Sequence, residues 1–259
     1  MKLLLLFLLV QNIFTWRFIP FKKKIYKKSK KFISINPAGI YGFYTLGVSS
    51  YIKNNYNLDK YHFIGASSGS WNCLLCCYKY NQNELIKNLL RQGFFENPDS
   101  LNNLQENLYS YILQNYISED FNLDKLYICI SEFNNFELEN IVISNFTNLE
   151  EALECCILSC HIPFITSNNF IKKYQNKIVF DGGLTEFPPK NISNYFTISP
   201  NKYNNKNLEE VFFELIIKNV SINVINDLYY EGYKEASNDK IEIDKYFGEE
   251  NFPFYLDYL

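Results

Sequence analysis

The sequence predicts an α/β domain of three layers, in which helices cover both faces of a mostly parallel central sheet. Short apolar runs that end at turn residues alternate with longer stretches of helical periodicity, and this alternation is typical of strands joined by crossover helices. Apolar residues make up 47% of the 259 positions, which is enough for one buried core. No linker rich in Pro, Gly or Ser follows residue 32, so residues 32–259 are predicted to form one domain.

The first half of the chain shows the order strand, turn and helix twice. An apolar run over residues 32–36 predicts the first strand, which ends at Pro37, and glycines then open a helical pattern over residues 43–54. A second strand is expected over residues 61–64, followed by a glycine-containing turn and an apolar helix over residues 71–80. Strands interleaved with helices in this way favour parallel pairing.

The second half of the chain contains more strands close to one another. Apolar runs, helical periodicity and turn residues predict the remaining elements in this order: helices within 82–116, strands over 126–131 and 136–144, a helix over 149–160, a hairpin over 170–174 and 177–180, a strand over 196–199 and a long helix over 208–236. The hairpin leads directly into Asp181-Gly182-Gly183.

Charge is distributed unevenly. Residues 1–31 hold nine of the 25 basic residues and no acidic residue, so the rest of the chain carries 16 basic against 28 acidic residues. Binding to nucleic acid requires clustered cations that contact phosphates. The excess of acidic residues after position 31 therefore disfavours nucleic acid as a binding partner.

The N-terminal 31 residues resemble a targeting or membrane-proximal segment. Leu3 to Val10 form an apolar run of the length of a signal-peptide core, well below the about 20 residues that a spanning helix needs. Three interpretations remain open: a secretory signal peptide, a two-part organelle signal such as a plastid signal, or an uncleaved anchor with lysines near anionic lipid.

Six of the seven cysteines form two clusters within predicted apolar helices, Cys73/Cys76/Cys77 and Cys155/Cys156/Cys160. This layout is not that of a disulfide scaffold. Structural zinc sites usually lie in polar turns, so a zinc site joining the clusters is disfavoured. We expect buried, reduced thiols, which favour a cytosolic or organellar interior, and we expect neither a metal nor a cofactor.

A serine at the turn after the second predicted strand is the strongest candidate for chemistry. Gly65-Ala66-Ser67-Ser68-Gly69 has the Gly-x-Ser-x-Gly pattern between a strand and a helix. Such a nucleophile elbow needs glycine on both sides because the serine lies on a strained, crowded turn. At a helix N-terminus Ser67 would face a dipole that favours developing negative charge, although it could also simply cap the helix. The placement favours a nucleophile.

Three residues could act as its base. His62 lies in the strand that leads into the elbow, so its side chain is expected to be structural. His161 is the one histidine that a Ser-His-Asp triad could use. Asp181 ends a strand and precedes two glycines, which allow a tight turn and a close neighbour.

The loop between the first strand and the first helix, Pro37-Ala38-Gly39-Ile40-Tyr41-Gly42, is rich in small residues. Small residues allow several backbone N–H groups to converge on one point, as an oxyanion hole requires.

The loop, the elbow and the Asp-Gly-Gly turn, in this order, resemble the patatin-like phospholipases over residues 32–200. Ser159-x-x-Ile162-Pro163 and the helix after the loop are also similar to that family. The resemblance implies that Ser67 is a nucleophile that forms an acyl-enzyme, that Asp181 is its base and that no histidine is required. It further implies fatty-acyl esters of membrane lipids as substrates, with peripheral membrane contact. The motif glycines are Gly42, Gly65, Gly69, Gly182 and Gly183.

The loop departs from the Gly-Gly-Gly-x-Arg-Gly pattern of the family. Pro37 replaces the first glycine and has no N–H to donate, Ala38 replaces the second and Tyr41 replaces the arginine. The oxyanion donors would then be the amides of Ala38, Gly39 and Ile40. A lost donor costs about 3 kcal/mol, so the alternative is a catalytically weak or inactive lipid-binding protein. The missing arginine favours neutral lipids or galactolipids as substrates.

Overall fold

The computed structural model describes residues 30–92, 101–200 and 221–248. All but the last two residues of the predicted targeting segment 1–31 lie outside this part of the chain, as does the start of the long helix predicted over 208–236. The described residues form an α/β fold with a mixed, mostly parallel sheet of seven strands. The predicted α/β class is confirmed.

Three parallel pairings build the centre of the sheet, and the strands added beyond them pair antiparallel. The order is β5-β6-β3-β2-β1-β7, with β4 paired to β3. The strands are β1 (Lys31–Ile35), β2 (Tyr61–Ala66), β3 (Leu126–Asn134), β4 (Glu137–Ser144), β5 (Lys172–Tyr174), β6 (Lys177–Phe180) and β7 (Tyr195–Ile198). Each predicted strand is present, with ends that shift by a few residues.

The central strand β3 has three partners. β4 pairs with nearly its whole length, from Tyr127 to Asn134. Since a strand has only two edges, β2 and β6 must share the other one, β2 along residues 126–129 and β6 along residues 131–133. β2 runs parallel to β3 and β6 runs antiparallel to it, so β2 and β6 point toward each other.

The described part of the chain contains seven α-helices: α1 (Gly42–Asn55), α2 (Ser68–Cys76), α3 (Gln82–Leu90), α4 (Leu101–Asn115), α5 (Leu149–Ser159), α6 (Ile222–Asn238) and α7 (Lys240–Phe247). Helices α3, α5 and α6 have side-chain N-caps. The residues Asn81, Asn148 and Ser221 each accept a hydrogen bond from a backbone amide in the first turn. None of the described helices is both long and apolar enough to cross a bilayer.

Two helices differ from the prediction. The helix predicted over residues 71–80 begins earlier, at Ser68, and ends at Cys76. At this end, the Lys53 ammonium group donates to the carbonyls of Cys76 and Tyr78. Helix α7 was not predicted, because its two buried residues, Ile243 and Phe247, lie in a largely polar stretch.

The core includes all the cysteines. The seven thiols are free and buried, which confirms that part of the prediction. Burial raises the pKa of each thiol, Cys73 and Cys156 among them, so they are protonated at neutral pH and pack as small apolar groups.

Helices α1 and α6 approach each other closely through two glycines. A Cβ atom on Gly47 would lie 2.1 Å from the carbonyl oxygen of Tyr229, and one on Gly232 would lie 2.0 Å from that of Tyr44. Backbone therefore meets backbone, and no side chain fits between the helices. This contact fixes α1, whose N-terminus follows the Pro37–Gly42 loop.

Substituting Gly232→Ala is expected to destabilise the protein by about 1–3 kcal/mol, because the added methyl group has no space and the helices must separate. Glu231→Ala, the exposed neighbour on the same helix, should change stability by less than about 0.5 kcal/mol. Urea unfolding of the two variants measures the difference, and equal midpoints would contradict the close packing.

Candidate active site

The register of the sheet brings Ser67 and Asp181 together. β2 ends at Ala66, which is opposite Cys129 of β3, and β6 ends at Phe180, which is opposite Ser131. Ser67 follows β2 and Asp181 follows β6. Both residues therefore lie beside Ile130, which they approach from opposite ends of β3. The hydroxyl of Ser67 donates to Oδ2 of Asp181 at 2.7 Å.

The elbow around Ser67 is strained and crowded, as its sequence predicts. Ser67 has φ +53° and ψ −133°, a backbone conformation that residues with a Cβ rarely adopt. A Cβ atom on Gly65 would lie 2.3 Å from the Gly69 carbonyl oxygen, and one on Gly69 would lie 2.2 Å from that of Ile35. Glycine on both sides of the serine is therefore a steric requirement here.

A second serine holds the elbow to the sheet. Ser159, the last residue of α5, accepts a hydrogen bond at 2.8 Å from the backbone N–H of Ser67. It donates in turn to the carbonyl of Cys129 in β3 at 2.7 Å. This buried bridge connects the strained turn to the central strand, which stabilises a conformation that would otherwise relax.

Asp181 is buried, with 3% of its surface exposed, and it is held at several atoms. Its Oδ1 accepts from the Gly183 amide at 2.7 Å, its own amide donates to the His161 carbonyl at 2.8 Å, and its carbonyl accepts from Ser131 Oγ at 2.8 Å. Burial raises the pKa of Asp181 to about 6, while the hydrogen bonds from Ser67 and Gly183 oppose the rise. The carboxyl is fixed in position and titrates just below neutral pH.

The two histidines lie outside this pair. His161 is 1% exposed and stacks on Phe180, with ring centroids 5.8 Å apart and planes at 11°. Its ring nitrogens make no hydrogen bond to Ser67 or Asp181, and burial lowers its pKa to about 4. His62 packs between Phe32 and Tyr127. The Ser-His-Asp alternative is therefore not formed, and His161 contributes its backbone carbonyl to the site.

The Pro37–Gly42 loop lies beside the pair and differs in part from the expectation. Of the three predicted donors, the Ala38 amide donates to Ser68 Oγ at 3.1 Å. The amides of Gly39, with φ +52°, and Ile40 have no acceptor among the described residues. Pro37 packs on the Asp-Gly-Gly turn, because a Cβ atom on Gly183 would lie 2.8 Å from Pro37 Cβ. Of the three predicted donors, the amides of Gly39 and Ile40 therefore remain as candidates.

Ser67 lines an apolar cavity of about 120 Å³. Residues of the loop and the elbow contribute to its lining, together with Leu75, Leu89, Leu104 and Leu108. No charged side chain is among the lining residues that the structure describes. This cavity was not predicted from the sequence, although Leu101, Leu104 and Leu108 on one face of α4 are a signal for it.

A scan against protein-family models finds no match for this sequence, and a search of the curated proteins finds none either. The function is therefore inferred from the geometry of the site.

The titration of Asp181 predicts how stability depends on pH. Its pKa in the folded protein, about 6, lies above its value of about 4 in an unfolded chain. Between about pH 4 and pH 6, the Asp181 carboxyl group is therefore protonated in the folded state and ionised in the unfolded state. The free energy of unfolding therefore falls as pH rises from about 4 to about 6, and it does not fall further from this cause above that range.

Asp181→Asn removes the buried charge, so this variant should be more stable than the wild type by about 2–3 kcal/mol at about pH 8, with little difference near pH 4. Urea unfolding at both pH values measures this. A variant that is less stable than the wild type at about pH 8 would contradict the assigned burial cost.

Proposed function

We propose that this chain is a serine hydrolase that cleaves fatty-acyl esters of membrane lipids, with the three-layer α/β/α arrangement and the Ser-Asp dyad of the patatin-like phospholipases. The observation that carries the proposal is the 2.7 Å hydrogen bond from Ser67 to Asp181 at the end of an apolar cavity. A strained serine, a buried carboxylate and an adjacent apolar cavity together suit the transfer of a fatty-acyl group from its ester.

In the first half of the reaction, Ser67 Oγ attacks the ester carbonyl carbon and its proton passes to Oδ2 of Asp181. The carbonyl oxygen becomes an oxyanion, which the amides of Gly39 and Ile40 and the N-terminus of α2 would stabilise. When the intermediate collapses, the bond to the alcohol breaks, and the alcohol takes the proton from Asp181. Ser67 is left as an acyl ester.

In the second half, water repeats the sequence. Asp181 accepts a proton from the water as its oxygen attacks the acyl carbon, and it returns that proton to Ser67 as the fatty acid leaves. A base with a pKa of about 6 is ionised at neutral pH and still basic enough to accept a proton in the transition state.

The cavity supports an apolar acyl group as the bound part of the substrate. Its long wall is built from leucines of α2, α3 and α4, without a charged lining residue in the described ranges. Tyr41, which stands where the family has arginine, is 2% exposed and lies in the core, so it adds no cation for a phosphate. The missing cation favours neutral lipids or galactolipids over phospholipids.

Lipid substrates imply peripheral contact with a membrane. We assign targeting to the basic segment 1–31, as a secretory or organelle signal or as an anchor at anionic lipid. The excess of acidic residues after position 31 disfavours nucleic acid as a partner.

A catalytically weak or inactive lipid-binding protein is the second candidate. Pro37 has no N–H, and the Ala38 amide is occupied by Ser68, so this loop offers fewer free donors than three glycines would. The loss of one donor typically lowers the rate by about a hundredfold or more. Binding of fatty acid without turnover would support this candidate.

Labelling by a fluorophosphonate probe tests the dyad, because such probes react with activated serines. We expect the wild type to label and to release fatty acid from mixed lipids, with activity rising with pH around the Asp181 pKa of about 6. Folded Ser67→Ala should not label, and Asp181→Asn should lose about a thousandfold or more in rate, as loss of a general base requires.

Two variants serve as controls. Ser50→Ala removes a buried serine hydroxyl that donates to Leu46 in α1, and His161→Leu removes the imidazole. Both should keep labelling and the same pH profile. Loss of activity in a folded His161→Leu protein would favour a histidine mechanism, and a folded wild type that neither labels nor hydrolyses would favour the lipid-binding candidate.

The cavity wall predicts chain-length selectivity. Leu104→Phe fills space along the wall, so it should lower kcat/KM for palmitoyl esters by about tenfold while butyryl esters change little. Leu113→Phe, on the same helix but 37% exposed and absent from the lining, is the matched control. Equal effects on both chain lengths would contradict an acyl group in this cavity.

A further inference from the structure

Ser68, the residue after the nucleophile, lies between the elbow and the loop. Its Oγ accepts the Ala38 amide at 3.1 Å. Gly42 makes room for it, because a Cβ atom on Gly42 would lie 2.6 Å from Ser68 Cβ and 2.9 Å from Ser68 Oγ. The Ser68 hydroxyl is thus confined to a space that adjoins both Ser67 and the free loop amides.

The hydroxyl of Ser68 has a proton left to donate. A serine hydroxyl can accept hydrogen bonds and donate one at the same time. No group in the described part of the chain accepts a hydrogen bond from Ser68 Oγ. Ser68 is half-buried, and it lines the cavity together with Ser67, Gly39 and Ile40. The proton is therefore available to a molecule bound in the cavity.

We propose that the Ser68 hydroxyl is an oxyanion donor and thus a further catalytic residue. It takes a hydrogen bond from the Ala38 amide and donates its own proton in a hydrogen bond to the substrate carbonyl oxygen while Ser67 attacks. The inference rests on the proposed function. The Ala38 amide polarises the hydroxyl and so strengthens its hydrogen bond to the oxyanion. The Ser68 side chain thus supplies a hydrogen-bond donor from the elbow, where Pro37 of the loop has no N–H to donate.

A purely structural role for Ser68 would change the rates of ester and thionoester hydrolysis differently from a role as oxyanion donor. If the hydroxyl only held the Ala38 amide and the loop, its loss would lower the rates of all ester substrates alike. A donor to the oxyanion acts on the atom that gains charge. Sulfur is a weak hydrogen-bond acceptor, so a thionoester, in which sulfur replaces the carbonyl oxygen, gains little from that donor.

The experiment compares the purified full chain with Ser68→Ala, the near-isosteric Ser68→Cys and the control Ser50→Ala. Each is assayed with p-nitrophenyl octanoate and its thiono analogue, and thermal unfolding confirms that each is folded. We expect Ser68→Ala to lower kcat for the ester by about a hundredfold with KM within about twofold, as loss of one oxyanion donor does. Ser68→Cys should behave similarly, because a thiol is a weak donor.

The ratio of ester to thionoester rates is the decisive readout. It should fall in Ser68→Ala and Ser68→Cys and stay at the wild-type value in Ser50→Ala. An unchanged ratio, or a Ser68→Ala protein that keeps its kcat because the freed Ala38 amide is itself the donor, would overturn this inference alone. A wild type that neither hydrolyses the ester nor reacts with fluorophosphonate would overturn the proposed function and this inference with it.

Discussion

One edge of strand β3, shared by two strands that point toward each other, determines the arrangement of this site. β2 and β6 end two positions apart along β3, opposite Cys129 and Ser131. The chain must turn sharply at the end of each strand, and the side chains at the two turns meet. The 2.7 Å contact between Ser67 and Asp181 follows from this register, so a shift of either strand by one residue would turn its side chain to the other face of the sheet.

Strand β3 also stabilises the two unfavourable features of the site, the backbone conformation of Ser67 and the buried carboxyl group of Asp181. Ser67 occupies an unfavourable backbone conformation, and the buried carboxyl group of Asp181 has a raised pKa. Ser159 connects the serine turn to the Cys129 carbonyl, and Ser131 holds the Asp181 carbonyl. Polar groups that are fully paired in a low-dielectric interior keep a rigid geometry. A strained serine and a poorly solvated carboxylate are thus maintained at a cost in stability that the surrounding sheet and helices offset.

Much of this arrangement could be predicted from the sequence, because its signals are local. The Gly-x-Ser-x-Gly turn and the Asp-Gly-Gly turn each follow an apolar run, so their positions at strand ends were predictable. The pairing of β2 and β6 with the same edge of β3 is a long-range property that periodicity does not encode. The same limit applies to Ser68, whose hydrogen bond with Ala38 depends on how loop and elbow pack. Helix α7 was missed because a stretch with two buried residues has little periodic signal.

The central claim is that Ser67 carries the acyl group during turnover. Acid quenching of the wild type within the first turnover of p-nitrophenyl octanoate, followed by peptide mass spectrometry, tests it most directly. We expect an octanoyl group on the peptide that contains Ser67, located on that residue by fragmentation, and no such group in Asp181→Asn. Turnover without an acylated peptide, or with the acyl group on another residue such as Ser70, would contradict it.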